Sequence, residues 1–148
     1  MMEKVLLVDD DSWIRQLVAT TLNDGQWAIS ESAAGLPALD FIHREHPRLV
    51  ILDLGLPDIS GLEVCRQVKG DPRLRDTMVI ILTANTDTRE LAACQAVGAD
   101  AILNKPFSPL RLLTLVESVT LPSSLDDDSR YQPLLAEADL LTGISPRQ

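Results

Sequence analysis

At 148 residues, 45% hydrophobic and 24% charged, the chain has room for one globular domain and a short extension. Its 13 Lys and Arg stand against 22 Asp and Glu, a net charge of −9 that leaves no basic face, so binding to nucleic acid by this chain is not expected. No apolar stretch approaches the roughly 20 residues of a membrane span, and the N-terminus runs into a strand with no signal-peptide pattern, so a cytoplasmic protein that makes no membrane contact is expected.

Short apolar runs alternate with longer amphipathic ones, about five times. Lys4–Val8 reads as the first strand and stops at Asp9 and Asp10. Ser12–Asn23 follows as a helix, with Gly25 placed to leave it in a left-handed conformation. Ala28–Ser32 is a more polar strand that suits a sheet edge. Leu36–Glu45 is the second helix; His43 and His46 near its end read as solvated surface residues, with no third metal ligand close by in sequence. Leu49–Leu52 is a strand that stops at Asp53. Gly61–Lys69 is a helix halted by Asp71-Pro72. Met78–Leu82 is a strand before Thr83, and Thr86–Val97 a helix followed by Gly98. Ala101–Leu103 is the last strand, with Lys105 two residues on. Ser108 and Pro109 open the last helix, which runs to Thr120, as N-cap and first helical residue. Trp13 and Trp27 read as packing residues. Cys65 and Cys94 are the only cysteines, lack CxxC spacing, and read as buried free thiols in a reducing compartment.

Past Leu121 the composition changes. Pro122-Ser123-Ser124 and the acidic run Asp126–Asp128 read as a linker, and Tyr131–Leu141 as a short helix with Leu134, Leu135, Ala138 and Leu141 along one side. The expected division is a domain over 1–121 and a connector over 122–148 leading toward an output domain.

Strand–helix alternation implies right-handed crossovers and a parallel sheet covered by helices on both faces. The central strands are nearly unbroken Val, Ile and Leu, as strands buried on both sides should be. In such a sheet the C-terminal strand ends share one edge, and ligands bind there. Asp9, Asp10, Asp53, Thr83 and Lys105 would therefore meet, although about a hundred residues separate the first from the last. Taken singly, an acidic pair at a strand end is often only a helix cap, and a Lys-Pro is usually a loop. Together at one edge they describe a site for a divalent cation and a phosphoryl group.

Crowded carboxylates raise one another's pKa, and a hard cation relieves the strain. Mg²⁺ takes oxygen ligands and keeps waters and phosphate oxygens in its shell. Asp10 and Asp53 are the expected direct ligands, with Asp9 acting through a water and the Gly55 carbonyl completing the set. Asp53, central in the site, is the expected nucleophile, forming an aspartyl phosphate by in-line attack. Lys105 brings a mobile positive charge to one phosphate oxygen, and Thr83 a hydroxyl to another. No separate general base is needed, because an ionised carboxylate is already a nucleophile.

Val8-Asp9-Asp10 with Arg15, Asp53-Leu54-Gly55-Leu56-Pro57 with Gly61, Thr83-Ala84 and Lys105-Pro106-Phe107 together resemble the receiver domain of two-component response regulators, over roughly residues 3–120. The resemblance implies a flavodoxin-like (βα)5 fold with strand order 2-1-3-4-5, an order for which receiver folds are a standard illustration. It implies phosphorylation of Asp53 by a histidine kinase or phosphotransfer protein, with self-phosphorylation and slow self-hydrolysis but no turnover. It allows a cis Lys105–Pro106 bond and implies a phosphate contact through the Thr83-Ala84 segment. Phosphorylation would be read out on the face of the fourth helix, fifth strand and fifth helix, a surface often used for two-fold dimers. Receivers commonly carry Tyr or Phe three residues before the lysine; here that residue is Ile102, so the usual aromatic swing is lacking. Gly55 and Asn85 flank the phosphate in the family's layout, and a bare Gly55 leaves water access open on that side.

Residues 138–147 also resemble the start of a GGDEF diguanylate cyclase domain: Asp139, Leu141, Thr142, Gly143 and Arg147 match, Ile144 is conservative, and Pro146 departs. The last five residues faintly resemble the start of a LuxR-type DNA-binding domain. A diguanylate cyclase output is the leading expectation, and a stand-alone receiver acting through protein contacts the alternative. An aspartyl-phosphate phosphatase on a similar fold is the competing class. It would need a second Asp two residues after the nucleophile, and Asp53-Leu54-Gly55 lacks one.

Overall fold

The computed structural model describes residues 2–85 and 87–121. The linker and helix expected over 122–148 lie outside the described residues. Within them the order is β1 (Glu3–Val8), α1 (Ser12–Thr21), β2 (Trp27–Ser32), α2 (Gly35–Glu45), β3 (Leu49–Asp53), α3 (Gly61–Lys69), β4 (Met78–Thr83), α4 (Thr88–Ala96), β5 (Ala101–Asn104) and α5 (Pro109–Thr120), with a short 3-10 turn at Pro72–Leu74. The five strands form one sheet in the order β2-β1-β3-β4-β5, and every pairing is parallel. This is the flavodoxin-like doubly wound fold expected from the sequence.

Side chains alternate across a strand, so one strand serves two cores. Leu6, Val8, Val50, Leu52, Val79, Ile81 and Ile102 pack with α2, α3 and Cys94 of α4. Their neighbours Val5, Leu7, Leu49, Ile51, Ile80, Leu82 and Leu103 pack with α1 and α5. Burial on both faces is why β3 and β4 are almost wholly apolar, while β2, at the edge, is only partly buried along most of its length.

Caps explain most boundaries. Asp11, Ser60, Asp87 and Ser108 each accept a backbone N–H in the first turn of α1, α3, α4 and α5. Asp87 starts α4 two residues later than the periodicity implies. α1 stops at Thr21, where Leu22 turns inward and is fully buried. Asp71 stops α3 as expected but also caps the 3-10 turn, accepting from Arg73 N at 2.9 Å. Gly25 and Gly98 have φ of 89° and 90°, while α2 ends on His46 at φ 48°, which no sequence signal marked. Cys65 and Cys94 are buried free thiols, as expected; burial pushes them up to about 12 and about 11. Trp13 departs from expectation. It is 74% exposed on the first turn of α1, facing away from the sheet, whereas Trp27 is in the core. No helix among the described residues is long and apolar enough to cross a membrane.

Candidate functional site

Parallel strands of matched register end together. β3 finishes on Asp53 and β4 on Thr83, β1 leads directly into Asp9 and Asp10, and β5 ends on Asn104, one residue before Lys105. Asp9 and Asp53 are 2% and 8% exposed, while Asp10 faces solvent. One carboxylate oxygen from each of the three lies within 4.8 Å of the others, the only group of this kind among the described residues. Lys105 Nζ donates to Asp9 Oδ2 at 2.9 Å and to Asp53 Oδ1 at 2.8 Å. Of the residues expected to meet, Asp9, Asp53 and Lys105 are thus in direct contact, and Asp10 lies beside them. The Lys105–Pro106 bond is cis.

The remaining carboxylate oxygens are held by the backbone. Asp11 N donates to Asp9 Oδ1 at 2.9 Å, and Gly55 N to Asp53 Oδ2 at 3.1 Å. The loop after Asp53 then closes tightly. Leu54 O accepts from both Leu56 N (3.1 Å) and Gly61 N (2.9 Å). Gly61 makes that closure possible, because a Cβ there would sit 2.2 Å from the Asp53 carbonyl oxygen. Gly55 and Ala84 are exposed at the site's rim. Thr83, 4% exposed, has its hydroxyl engaged by its own loop, accepting from Asn85 N at 3.0 Å. Lys105 N donates to Thr83 O at 2.8 Å and couples the ends of β4 and β5. Ile102, the position without the usual aromatic, is fully buried in the core shared with α3 and α4.

Burial pushes the Asp9 carboxyl up, against the lowering effect of the Asp11 N–H and Lys105. Burial works to lower the Lys105 ammonium, but hydrogen bonds and charge from Asp53 and Asp9 together hold it above its ordinary value. Two carboxylates about 4 Å apart repel by about 4 kcal/mol at an effective dielectric of 20. Three carboxylates against one ammonium leave two uncompensated charges. An all-oxygen donor set with that deficit fits a hard divalent cation of the Mg²⁺ type.

The sign of the Asp9 shift gives a test. A carboxyl whose pKa rises on folding favours the fold while protonated, and that advantage disappears as pH climbs through the folded-state value. In chelator at neutral pH, Asp9→Asn should therefore melt above the wild type. The gap should narrow on acidification as the native carboxyl takes up its proton. Melting curves across that range check it, and a variant that melts lower at neutral pH contradicts it.

Three contributors had no role assigned to them from the sequence. Arg15, part of the motif but without an expected role, donates to the Asp9 carbonyl at 2.6 Å and to Glu31 at 2.8 Å, fixing the end of β1 to the end of β2. Asn104 pairs in register with Thr83 and is 5% exposed, with Oδ1 lacking a hydrogen-bond partner among the described residues. Asp58, in the β3–α3 loop, bonds to α2. The histidines take no part: His43 lies 3.6 Å from Asp71, and His46 is exposed. A cavity of about 560 Å³ opens at the opposite edge of the sheet, between Lys4, His46, Arg48 and Arg73, and contains none of the site residues.

Known proteins give the same picture. The family model described as the response regulator receiver domain matches residues 5–117. The transcriptional regulatory protein GltR of Pseudomonas aeruginosa is 36% identical over 115 residues, which is 78% of this chain and 48% of GltR. The chain spans about half the length of such curated relatives. Because GltR is a transcriptional regulator, a diguanylate cyclase output draws no support from it. Chemotaxis protein CheY4 of Vibrio cholerae superposes with a TM-score of 0.75 at 34% identity, covering 80% of this chain and 99% of CheY4. DrrB of Thermotoga maritima, an OmpR/PhoB homologue, superposes at 0.71 with 36% identity, covering 79% of this chain and 52% of DrrB. With the fold, the strand-end carboxylates and the matched span in agreement, this chain belongs to the response regulator receiver family and is a receiver domain.

Proposed function

We propose that Asp53 accepts a phosphoryl group from the phosphohistidine of a sensor histidine kinase or phosphotransfer protein. The observation carrying this reading is the double contact of Lys105 with Asp9 and Asp53 at the edge where β1, β3 and β5 end. An Asp53 carboxylate oxygen attacks phosphorus; the new O–P bond forms as the P–N bond breaks, and the histidine leaves with the electron pair. Lys105 turns from the Asp53 oxygen toward the incoming phosphoryl oxygens, and its retained contact with Asp9 keeps the ammonium at the site. Thr83 gives up Asn85 N and donates its hydroxyl to a second phosphoryl oxygen, with the Ala84 backbone beside it. Asp10, Asp53 and the Gly55 carbonyl would hold Mg²⁺ directly and Asp9 through water. When bound, the ion neutralises charge on the carboxylates and on the transferred group.

Thr83 and Lys105 anchor the loops entering α4 and α5, so drawing both toward the phosphoryl group moves the α4–β5–α5 face. This face is the proposed readout and the proposed two-fold dimer surface, with Ile102 staying in the core. The proposed output, in a longer protein, is transcriptional control, on the analogy of GltR. The Asp139–Arg147 match keeps a cyclase as the second reading. Beryllofluoride with Mg²⁺ should slow amide exchange in the β4–α4 and β5–α5 loops and alter it across α4–β5–α5. Asp10→Asn should remove most of this response by weakening the cation site. Changes confined to α2 and α3, or an undiminished response in Asp10→Asn, would contradict the reading.

A further inference from the structure

α2 lacks a cap of its own. Its N-cap residue, Ala34, has no side-chain acceptor, yet the backbone there is extended, at φ −149° and ψ 162°, as a capping residue's should be. The missing acceptor comes from 23 residues downstream. Asp58 Oδ1 accepts from Gly35 N at 2.8 Å and Asp58 Oδ2 from Leu36 N at 2.7 Å, while Oδ1 also accepts from Ile59 N at 2.8 Å. These N–H groups hold the Asp58 carboxyl below its ordinary range. The approach is close. A Cβ on Gly35 would lie 2.7 Å from Ile59 Cγ1, so the glycine lets the β3–α3 loop lie against the start of α2.

That loop carries Gly55. At its base it is fixed by Leu54 O, which Leu56 and Gly61 both grip, and by Gly55 N on Asp53 Oδ2. Ser60 at the loop's far end caps α3. Among the described residues, the hydrogen bonds that tie Pro57, Asp58 and Ile59 to another element are the two made by Asp58. We propose that Asp58 is a positioning residue for the cation site: by clamping the loop to the N-terminus of α2, it sets where the Gly55 carbonyl stands relative to Asp10 and Asp53. This rests on the reading of Gly55 as a cation ligand. The clamp also makes the start of α2 sensitive to the state of the phosphorylation loop, a route separate from the α4–β5–α5 face.

The test separates positioning from mere helix stability. Mg²⁺ is titrated against intrinsic tryptophan fluorescence, Trp13 lying three residues from Asp10, and melting is measured in chelator. Asp58→Ala should raise the Mg²⁺ dissociation constant roughly 10-fold, the low end of what outer partners of a metal site contribute, and should lower the melting temperature. Asp58→Asn, which keeps one acceptor oxygen, should fall between the two. Ala34→Ser combined with Asp58→Ala gives α2 a local cap, so the melting temperature should recover while Mg²⁺ binding stays weak. If Asp58→Ala binds Mg²⁺ like the wild type, or if the double variant regains affinity together with stability, the positioning role is overturned. If the wild type itself shows no Mg²⁺ response, the cation-site reading falls and this inference with it.

Discussion

Asp53→Asn is expected to reduce phosphate incorporation from acetyl phosphate, with Mg²⁺ present, to background. The amide oxygen is neutral, and an acyl phosphate cannot form on it. The loss should be chemical and not structural. Lys105 keeps its 2.9 Å contact with Asp9, and Gly55 N still finds an acceptor in the amide oxygen. Removing one of three crowded carboxylates also removes repulsion of about 4 kcal/mol per close pair at an effective dielectric of 20. The variant should therefore fold as well as the wild type in chelator, with an unchanged circular dichroism spectrum. A well-folded Asp53→Asn chain that still gains a stable acyl phosphate would place the nucleophile elsewhere.

Gly61→Ala should produce the largest loss of stability. Its Cβ would meet three backbone atoms: the Asp53 carbonyl oxygen at 2.2 Å, Leu54 Cα at 2.8 Å and the Asp53 carbonyl carbon at 2.9 Å. No flexible side chain is available to move aside, so the loop or the end of β3 must shift. A cost of about 3 kcal/mol is expected, the upper end of what overpacking costs. Because the displaced residue is Asp53 itself, Mg²⁺ binding should weaken as well. Gly55→Ala supplies the contrast. Its Cβ would lie 3.7 Å from Asp53 Oδ2, an ordinary contact, and its stability should stay near that of the wild type. Urea denaturation of the two variants checks the pair of expectations, and equal midpoints would contradict the close approach.

The fold was legible because the strands are written in a simple code. Val5–Val8, Leu49–Leu52 and Val79–Leu82 are apolar without interruption, since each is buried on both faces. The five chemical residues follow from topology, because a parallel sheet brings its strand ends together wherever they lie in the chain. Boundaries were less legible. Thr88 as the start of α4 depends on Asp87 as cap, and Trp13 looked like core on hydrophobicity alone although its place on α1 turns it to solvent. What the sequence hid are side chains whose partners are remote. Asp58 reads as an ordinary loop residue until α2 is folded beside it. Lys69 ends α3 and Asp100 immediately precedes β5, and only folding brings them to 2.8 Å, with Asp100 Oδ2 also accepting from Val79 N. The hydroxyl of Thr77 on Pro47 O at 2.7 Å and the Arg48 guanidinium on Thr120 O are further tertiary closures of this kind.

The most direct measurement is the position of the phosphoryl group. The wild-type chain, treated with acetyl phosphate and Mg²⁺, is trapped by borohydride reduction, digested and sequenced by mass spectrometry. One modified residue is expected, Asp53, and the modification should disappear when Mg²⁺ is replaced by chelator. Reduction at Asp9 or Asp10 with Asp53 intact would contradict the assignment of the phosphoacceptor.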